Sequence, residues 1–399
     1  MKSTELKKLN IKLRSLAVFR ELLSDRVISA LLNYLDYPED GDIAQAVSLY
    51  SEFASSLYQS GAKNLATYIK TVVGDNENVY IRAVGKGEKV SDTLFKTVEE
   101  ELKILQKVAD LTPTALRVGL SWDGFLPQFE AESTDIAEYY RHRTDNIGRY
   151  GYGIYARHHM FYIGSENNIV PVKNPDKTTL SSLIDYEKEK QIILDNTNAL
   201  LDGKPAANIL LTGDAGTGKS STVKAVVNKL CTKGLRILEV RKEQLREIPA
   251  IIDELNSNPL KFILFIDDLS FQKDDDNFSA LKAILEGSVS ARSQNIVIYA
   301  TSNRRHLVKE TFGDRQGDDI HVSDTIQEII SLSERFGIHI TFNKPNKETY
   351  LDIVYHLCEQ RGVKMERKEL ELLAERYALG RGGRSARAAN QFVDSLLSK

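Results

Sequence analysis

The sequence predicts an α/β protein with a mainly helical N-terminal region and a helical C-terminal end. Apolar residues recur at three- and four-residue steps over the first 135 residues and again after residue 345, which is the spacing of one helix face. Between these regions, short apolar runs alternate with helical patterns, which predicts a five-stranded parallel sheet covered by helices on both faces. The predicted strands are Asn208–Thr212, Leu235–Val240, Phe262–Asp267, Ile296–Thr301 and Ile338–Phe342.

The N-terminal region, residues 1–135, shows three helical patterns. The second runs from Ala44 to Val72, and Ser91 opens the third. We find no catalytic constellation in this region, so its interpretation is a packed helical domain. The first pattern consists of Leu13, Leu16, Phe19, Leu23, Val27 and Leu31.

Composition excludes several classes of protein. The 399 residues have a net charge of −3, so no overall basic field indicates a nucleic-acid-binding protein. Cys231 and Cys358 are too few for a disulfide framework or a zinc cluster. The most apolar run, Phe262–Ile266, is far shorter than the roughly 20 residues that span a bilayer. We therefore expect a cytoplasmic protein without a membrane segment.

Residues 139–162, the Tyr/Arg segment, have a distinct composition. Aromatic rings and guanidinium groups suit stacking on nucleic-acid bases, but they equally suit a protein interface or internal packing, and the sequence leaves these alternatives open. Pro171, Asn174 and Pro175 follow in a polar stretch that indicates a linker. The segment contains Tyr139, Tyr140, Tyr150, Tyr152, Tyr155 and Tyr162, with Arg141, Arg143, Arg149 and Arg157 between them.

The strongest motif fits G-x-x-x-x-G-K-[ST] and lies between a predicted strand and a predicted helix, the context of a phosphate-binding loop. Its glycines allow successive N–H groups to converge on phosphate oxygens, and the helix dipole favours the same anion. Lys219 would reach the β- and γ-phosphates, and the Ser220 hydroxyl would bind Mg²⁺. The predicted nucleotide-binding residues are Gly213, Asp214, Ala215, Gly216, Thr217, Gly218, Lys219, Ser220 and Ser221.

Two acidic residues follow the strand that begins at Phe262. Mg²⁺ prefers hard oxygen ligands, so Asp267 is the predicted metal partner, through water. Asp268 is the candidate base that orients the attacking water. Asn343-Lys344-Pro345-Asn346, after the last strand, lacks the acid with which GTPases read guanine.

From here the chain resembles the AAA+ ATPases. The strand that ends at Asn303 resembles their sensor-one strand, which implies that Asn303 holds the lytic water or the γ-phosphate. Ser331–Gly337 is similar to the arginine-finger segment of replication-initiator-like members, which implies that Arg335 acts on a neighbouring subunit of a homo-oligomer. Most AAA+ proteins have Glu at the position of Asp268, which implies slow hydrolysis here, whereas replication-initiator-like members also carry paired Asp at this point, which is compatible with activity.

The C-terminal helices resemble the AAA+ lid. The turn that contains Arg384 and Arg387 looks like sensor two; we choose Arg384 first and Arg387 second as the arginine that reaches the phosphates. The segment around Tyr186 is similar to the one that packs beside adenine. Residues 177–399 together look like an uncharacterised bacterial family of predicted AAA+ ATPases near the initiator and loader-like branch.

We therefore expect a helical domain (1–135), the Tyr/Arg segment with a linker (136–176), an AAA+ core (177–343) and a helical lid (344–399). The expected function is that of an ATPase that binds ATP and Mg²⁺ and remodels or assembles a protein or nucleic-acid partner. The alternative is a nucleotide-gated scaffold that hydrolyses little ATP and presents its N-terminal domain to a protein partner.

Overall fold

The chain divides into two compact units, Met1–Arg157 and His158–Lys399. The structure, a computed structural model, describes residues 4–38, 40–118, 120–269, 276–286, 294–303 and 334–398. In these ranges no helix has the length and apolar character needed to cross a membrane. The boundary between the units falls inside the Tyr/Arg segment, and the finer division at residues 135, 176 and 343 stays a prediction.

The first unit is helical, as predicted. Its helices begin at polar N-caps: for example, the Asp25 carboxylate accepts from the backbone N–H groups of Val27 and Ile28. In the described residues the helices are α1 (Thr4–Arg14), α2 (Arg26–Asp36), α3 (Ile43–Gln59), α4 (Leu65–Asp75), α5 (Val79–Gly85), α6 (Asp92–Ala109), α7 (Pro113–Arg117), α8 (Ile136–Asp145), α9 (Ile147–Tyr150) and α10 (Ile154–Arg157).

The first predicted apolar helix face is interrupted in the structure. α1 ends at Arg14, a 3-10 helix covers Arg20–Ser24, and α2 begins after it. The buried Glu101 carboxylate accepts from the backbone N–H groups of Ala17, Val18 and Phe19 at 2.7–3.1 Å, which fixes the chain in a turn between the helices. A carboxylate distant in sequence thus overrides the local helical pattern.

The second unit contains a seven-stranded sheet in the order β2-β1-β4-β5-β6-β3-β7. Only the pair β1 and β2 is antiparallel; the other described neighbours pair in parallel. The strands are β1 (Met160–Ile163), β2 (Ile169–Pro171), β3 (Ile209–Gly213), β4 (Leu235–Val240), β5 (Lys261–Ile266), β6 (Ile296–Ser302) and β7 (Ile338–Phe342). The five strands β3–β7 confirm the predicted ones to within a residue.

β1 and β2 extend the sheet beyond the five predicted strands. They lie where the sequence indicated the Tyr/Arg segment and a linker, and Pro171 is the last residue of β2. β2 is an edge strand, where a proline is tolerated because its missing N–H leaves no partner in the sheet unsatisfied. Three residues are too few to give a periodic signal, so the sequence did not indicate this strand.

Helices cover the sheet and form the C-terminal lid. β3 lies between β6 and β7 in the sheet. The chain continues from β3 to β4, β5 and β6 on one side of it and then to β7 on the other side. Such a change of side leaves a crevice at the carboxyl ends of the strands. The predicted α/β core with a parallel sheet and a helical C-terminal end is confirmed. The described helices are α11 (Glu187–Leu201), α12 (Lys219–Leu230), α13 (Ile248–Asn256) and α14 (Asp276–Glu286), followed in the lid by α15 (Lys347–Arg361), α16 (Arg367–Gly380) and α17 (Ala386–Leu397).

Candidate nucleotide-binding site

The glycine-rich loop connects β3 to α12 at this crevice. Gly213, Gly216 and Gly218 have φ values of 137°, 81° and 95°, which side chains with a Cβ rarely adopt. A Cβ on Gly213 would also collide with the carbonyl oxygen of Phe342 in the neighbouring strand. These angles explain why the motif requires glycine at positions 213 and 218, and Gly216 adds a third glycine at a position that the motif leaves open.

The N-terminus of α12 opens into the loop. Gly218 is its N-cap residue and supplies no side-chain cap, and Ser220 and Ser221 lie in the first turn. Thr217 instead stabilises the loop itself, since its hydroxyl donates to the carbonyl oxygen of Asp214 at 2.9 Å. A helix N-terminus without a side-chain cap is a suitable site for a phosphate group.

The side chain of Lys219 reaches back to the start of the glycine-rich loop. Its ammonium group donates to the carbonyl oxygens of Gly213 and Asp214 at 2.8 and 2.9 Å and to Oδ1 of Asn303 at 3.0 Å. Burial lowers the pKa of Lys219 below its usual 10.5, although the nearby carboxylates of Asp267, Asp214 and Asp268 oppose this shift. The buried cation is thus held by main-chain oxygens at the place where phosphate oxygens are expected.

Ser220 and Asp267 lie together, as predicted for a metal pair. The Ser220 hydroxyl donates to Oδ1 of Asp267 at 2.6 Å. The same Oδ1 accepts from the hydroxyl of Thr301 at 2.6 Å, and Thr301 also accepts from the backbone N–H of Asp268 at 2.9 Å. A hydroxyl beside a carboxylate is a hard-oxygen donor set that fits Mg²⁺.

Thr301 is a residue that the sequence analysis missed as part of this site. It is buried at the carboxyl end of β6, two residues before Asn303. Its only signal in the sequence was its position as the last residue of the predicted strand Ile296–Thr301, where a hydroxyl does not by itself indicate a function. Tertiary pairing makes it the residue that orients Asp267.

Asp268 and Asn303 face each other across the ends of β5 and β6. The Asn303 amide donates to Oδ1 of Asp268 at 2.6 Å, while its oxygen accepts from Lys219. Asp268 has a φ of 56°, which is uncommon for a residue other than glycine and turns the chain sharply after Asp267. The two carboxylates therefore have separate partners: that of Asp267 accepts from hydroxyl groups, and that of Asp268 accepts from the Asn303 amide.

Tyr186 lies beside β7. Asp185 and Tyr186 have φ values of 72° and 65°, so the chain turns abruptly into α11. The Tyr186 ring packs 4.8 Å from the Phe342 ring, its hydroxyl donates to the carbonyl oxygen of Asn343, and burial raises its pKa to about 12. Ile184 and Asp185, the two residues before Tyr186, line a cavity of about 390 Å³ that extends to Lys229 in the last turn of α12.

The lid separates the two sensor-two candidates. Arg384 donates twice to Glu375 of α16, at 2.8 and 2.6 Å. The backbone N–H of Arg387 donates to the carbonyl oxygen of Gly216 at 3.2 Å, and the Arg387 charge contributes to lowering the pKa of Lys219. Of the two arginines, Arg387 is the one that the fold brings to the phosphate loop.

Arg335 lies away from this site. It precedes the amino end of β7, whereas the loop follows the carboxyl end of β3, and the two strands run parallel. Paired residues such as Ile338 and Ile209 lie about 13 Å from the loop end of the strands, at ~3.3 Å per residue. The preceding part of the predicted finger segment, residues 331–333, lies outside the described residues.

In the first unit, two rings of the Tyr/Arg segment contact cationic side chains. The Lys70 ammonium and the Arg143 guanidinium lie 4.6 and 5.8 Å from the Tyr139 ring centroid. Arg143 and Arg149 lie 5.1 and 5.6 Å from that of Tyr150. Since cations of the same chain already contact these two rings, the arrangement favours the packing interpretation over base stacking.

Comparison with known proteins gives a family and a distant structural likeness. One family model, described as "Protein of unknown function (DUF815)", matches residues 156–399, well over half of the chain. No curated protein matches.

Among solved structures, the chain is similar to the Thermotoga maritima RuvB Holliday junction branch migration motor, with 17% identity and a TM-score of 0.37. Two variants of that protein give 19% and 20% identity, each with a TM-score of 0.39. The first alignment covers 54% of this chain and 63% of the RuvB chain, which is less than two thirds of that chain's length. The alignments with the two variants each cover 54% of this chain, and they cover 63% and 64% of the variant chains.

Proposed function

The chain belongs to the family described as "Protein of unknown function (DUF815)", and we propose that it is an ATPase that binds ATP with Mg²⁺ and uses hydrolysis to remodel or assemble a partner. The observation that carries this proposal is the chain of contacts at one edge of the sheet. Lys219 bonds to Asn303, Asn303 bonds to Asp268, and Ser220 bonds to Asp267 next to them.

Phosphate binding requires donors that converge on the loop. The uncapped N-terminus of α12 supplies backbone N–H groups, and Lys219 supplies a buried charge. On binding, Lys219 exchanges its bonds to the carbonyl oxygens of Gly213 and Asp214 for bonds to phosphate oxygens. This exchange is favourable because an ammonium–phosphate hydrogen bond joins two charged groups.

Ser220 and Asp267 are the residues that would hold Mg²⁺, which supplies positive charge against the phosphates when it is bound. Thr301 keeps the Asp267 carboxylate turned towards Ser220. Asp268 accepts a proton from the attacking water, and the Asn303 amide fixes the Asp268 carboxylate for this role. Transfer to water then depends on positioning and charge rather than on a covalent intermediate.

The proposed base is adenine. Tyr186 lies next to the residues that follow β7, since its hydroxyl donates to the carbonyl oxygen of Asn343. Asn343-Lys344-Pro345-Asn346 has no acid to pair with the guanine edge. These features support ATP over GTP.

Completion of the site requires a second subunit in this proposal. Arg335 precedes the amino end of β7 and is remote from the loop of its own chain, so we assign it to the phosphates of a neighbouring copy. Arg387 is the cation that the lid contributes from the same chain, because its backbone contacts Gly216. A change in lid angle on hydrolysis would alter the geometry of the oligomer.

A nucleotide-gated scaffold is the second candidate function, and the first unit offers one observation for it. Phe125 is 85% exposed and Trp122 is 43% exposed on a turn that the Trp122 indole closes by donating to the carbonyl oxygen of Phe125 at 3.3 Å. Residues 120–138 carry five acidic and no basic residues. An exposed aromatic pair on a preorganised acidic turn suits a protein partner with an apolar pocket and a basic rim.

The deciding experiment measures ATP turnover by the purified protein with and without Mg²⁺, together with nucleotide binding. Lys219→Ala should abolish hydrolysis, whereas Lys229→Ala, a lysine in the last turn of the same helix, should leave it unchanged. Multiple turnovers per subunit per minute exclude a pure scaffold. Tight ATP binding without turnover favours the scaffold, and absence of nucleotide binding by the wild type refutes both functions.

A further inference from the structure

The phosphate loop of this chain carries an acidic side chain. Asp214 is the second residue of the loop, and its side chain is 54% exposed. ATP carries several negative charges, so a carboxylate at the entrance of its binding site opposes binding unless another group neutralises it. Asp214 is therefore a disadvantage that the rest of the site has to compensate.

Lys344 is placed to neutralise Asp214. Its ammonium nitrogen lies 3.8 Å from Oδ1 of Asp214, and its side chain is 49% exposed. The same nitrogen lies 3.7 Å from the point where a Cβ on Gly383 would be, in the turn that leads into α17 of the lid. Lys344 thus stands where the phosphate loop, the core-to-lid connection and the lid turn meet.

Neighbouring contacts fix the backbone from which Lys344 extends. The carbonyl oxygen of Asn343 accepts from the Tyr186 hydroxyl, and the Phe342 ring packs against Tyr186. Asn346 caps α15 by accepting from the backbone N–H of Thr349 at 2.8 Å. The connection from β7 to the lid is therefore held on both sides of Lys344, which limits how far its charge can move from the loop.

We infer that Lys344 is a positioning residue for nucleotide binding: its charge neutralises Asp214 and thereby lets an acidic phosphate loop accept a polyphosphate. This inference rests on the proposed ATP-binding function. It assigns Lys344 no contact with the reacting atoms. Because Lys344 belongs to the core-to-lid connection, the same pair makes nucleotide affinity depend on the position of the lid.

The test is a double-mutant cycle in the full-length chain, with ATP and ADP binding measured by calorimetry at low salt. Lys344→Ala should weaken binding about two- to tenfold, because the Asp214 carboxylate then loses the Lys344 cation that offsets its repulsion of the phosphates. In the Asp214→Asn background the same substitution should have an effect smaller than twofold. Lys344→Arg should retain wild-type affinity, and in turnover assays Lys344→Ala should raise KM while kcat stays unchanged.

Controls separate this inference from its alternatives. Lys347→Ala, three residues further along, should leave nucleotide affinity unchanged, and the effect of Lys344→Ala should shrink at high salt because the pair is half exposed. An equal loss in both Asp214 backgrounds would mean that Lys344 binds phosphate directly and would overturn the inference, as would no loss at all. Failure of the wild type to bind nucleotide would instead refute the proposed function.

Discussion

The side-chain oxygen of Asn303 lies 3.0 Å from the ammonium group of Lys219. The two residues are separated by 84 positions in the chain and come from different elements, the end of β6 and the start of α12. Because the Asn303 amide also donates to Asp268, one side chain joins Lys219, the lysine proposed to bind phosphate, to the proposed base. If the proposed nucleotide binds, a change in the position of its phosphates would reach Asp268 through Lys219 and Asn303.

Asp268→Asn should retain nucleotide binding and slow hydrolysis. The substitution removes the proton acceptor, and general-base catalysis contributes typically about 10²–10⁴-fold to a rate. Asparagine tolerates the φ of 56° at this position, so the turn is preserved. Single-turnover hydrolysis together with nucleotide affinity is the measurement, and wild-type turnover by this variant would remove Asp268 from the mechanism. Partner molecules that this variant captures only in the presence of ATP would identify what the proposed ATPase acts on.

Thr301→Val should raise the Mg²⁺ concentration needed for activity and reduce stability. Valine keeps the shape of the buried side chain but removes the hydroxyl that holds Asp267 and accepts from Asp268. Leaving these groups without that partner should cost about 1–3 kcal/mol of unfolding free energy. Denaturant unfolding and Mg²⁺ titration of ATPase activity check both effects. Thr301→Ser, which keeps the hydroxyl, should behave like the wild type in the Mg²⁺ titration.

Arg335→Ala should bind ATP normally but hydrolyse it at least about tenfold more slowly, since a transition-state cation would be missing. If the arginine acts on a neighbour, mixing this variant with Lys219→Ala protein should restore part of the activity. The first protein then supplies intact loops and the second supplies arginines. Loss of ATP binding in Arg335→Ala, or full activity of that variant alone, would contradict the assignment.

Nucleotide affinity should fall as the pH rises. Because the pKa of Lys219 is lowered, this fall should begin at a lower pH than it would for a lysine with the usual pKa of 10.5. Burial lowers the pKa of Lys219 below 10.5, and phosphates favour its charged form, so binding takes up a proton between the lowered pKa and the pKa in the complex. Affinity is therefore highest below the lowered pKa and falls as pH rises through it. Calorimetry in two buffers of different ionisation enthalpy measures the uptake, which Lys219→Arg should eliminate because arginine stays charged.

Much of the second unit could be predicted from local patterns. β3, β5 and β6 are nearly continuous apolar runs, and the phosphate loop has glycines at fixed spacing because residues with a Cβ rarely adopt its backbone angles. The first unit was less predictable in detail, since Glu101 breaks a helical pattern from more than 80 positions away. β1 and β2 were missed because short strands at a sheet edge have little periodicity.

By itself, the sequence determined the class of fold, the loop, the lysine and the paired acids, because backbone geometry and strand burial demand particular residues at consecutive positions. Only the tertiary structure decided which distant groups meet them: Thr301 beside Asp267, Arg387 rather than Arg384 beside the loop, and Lys344 opposite Asp214. Those partners come from separate strands and helices. Their proximity depends on sheet order and lid packing, which no short stretch of sequence encodes.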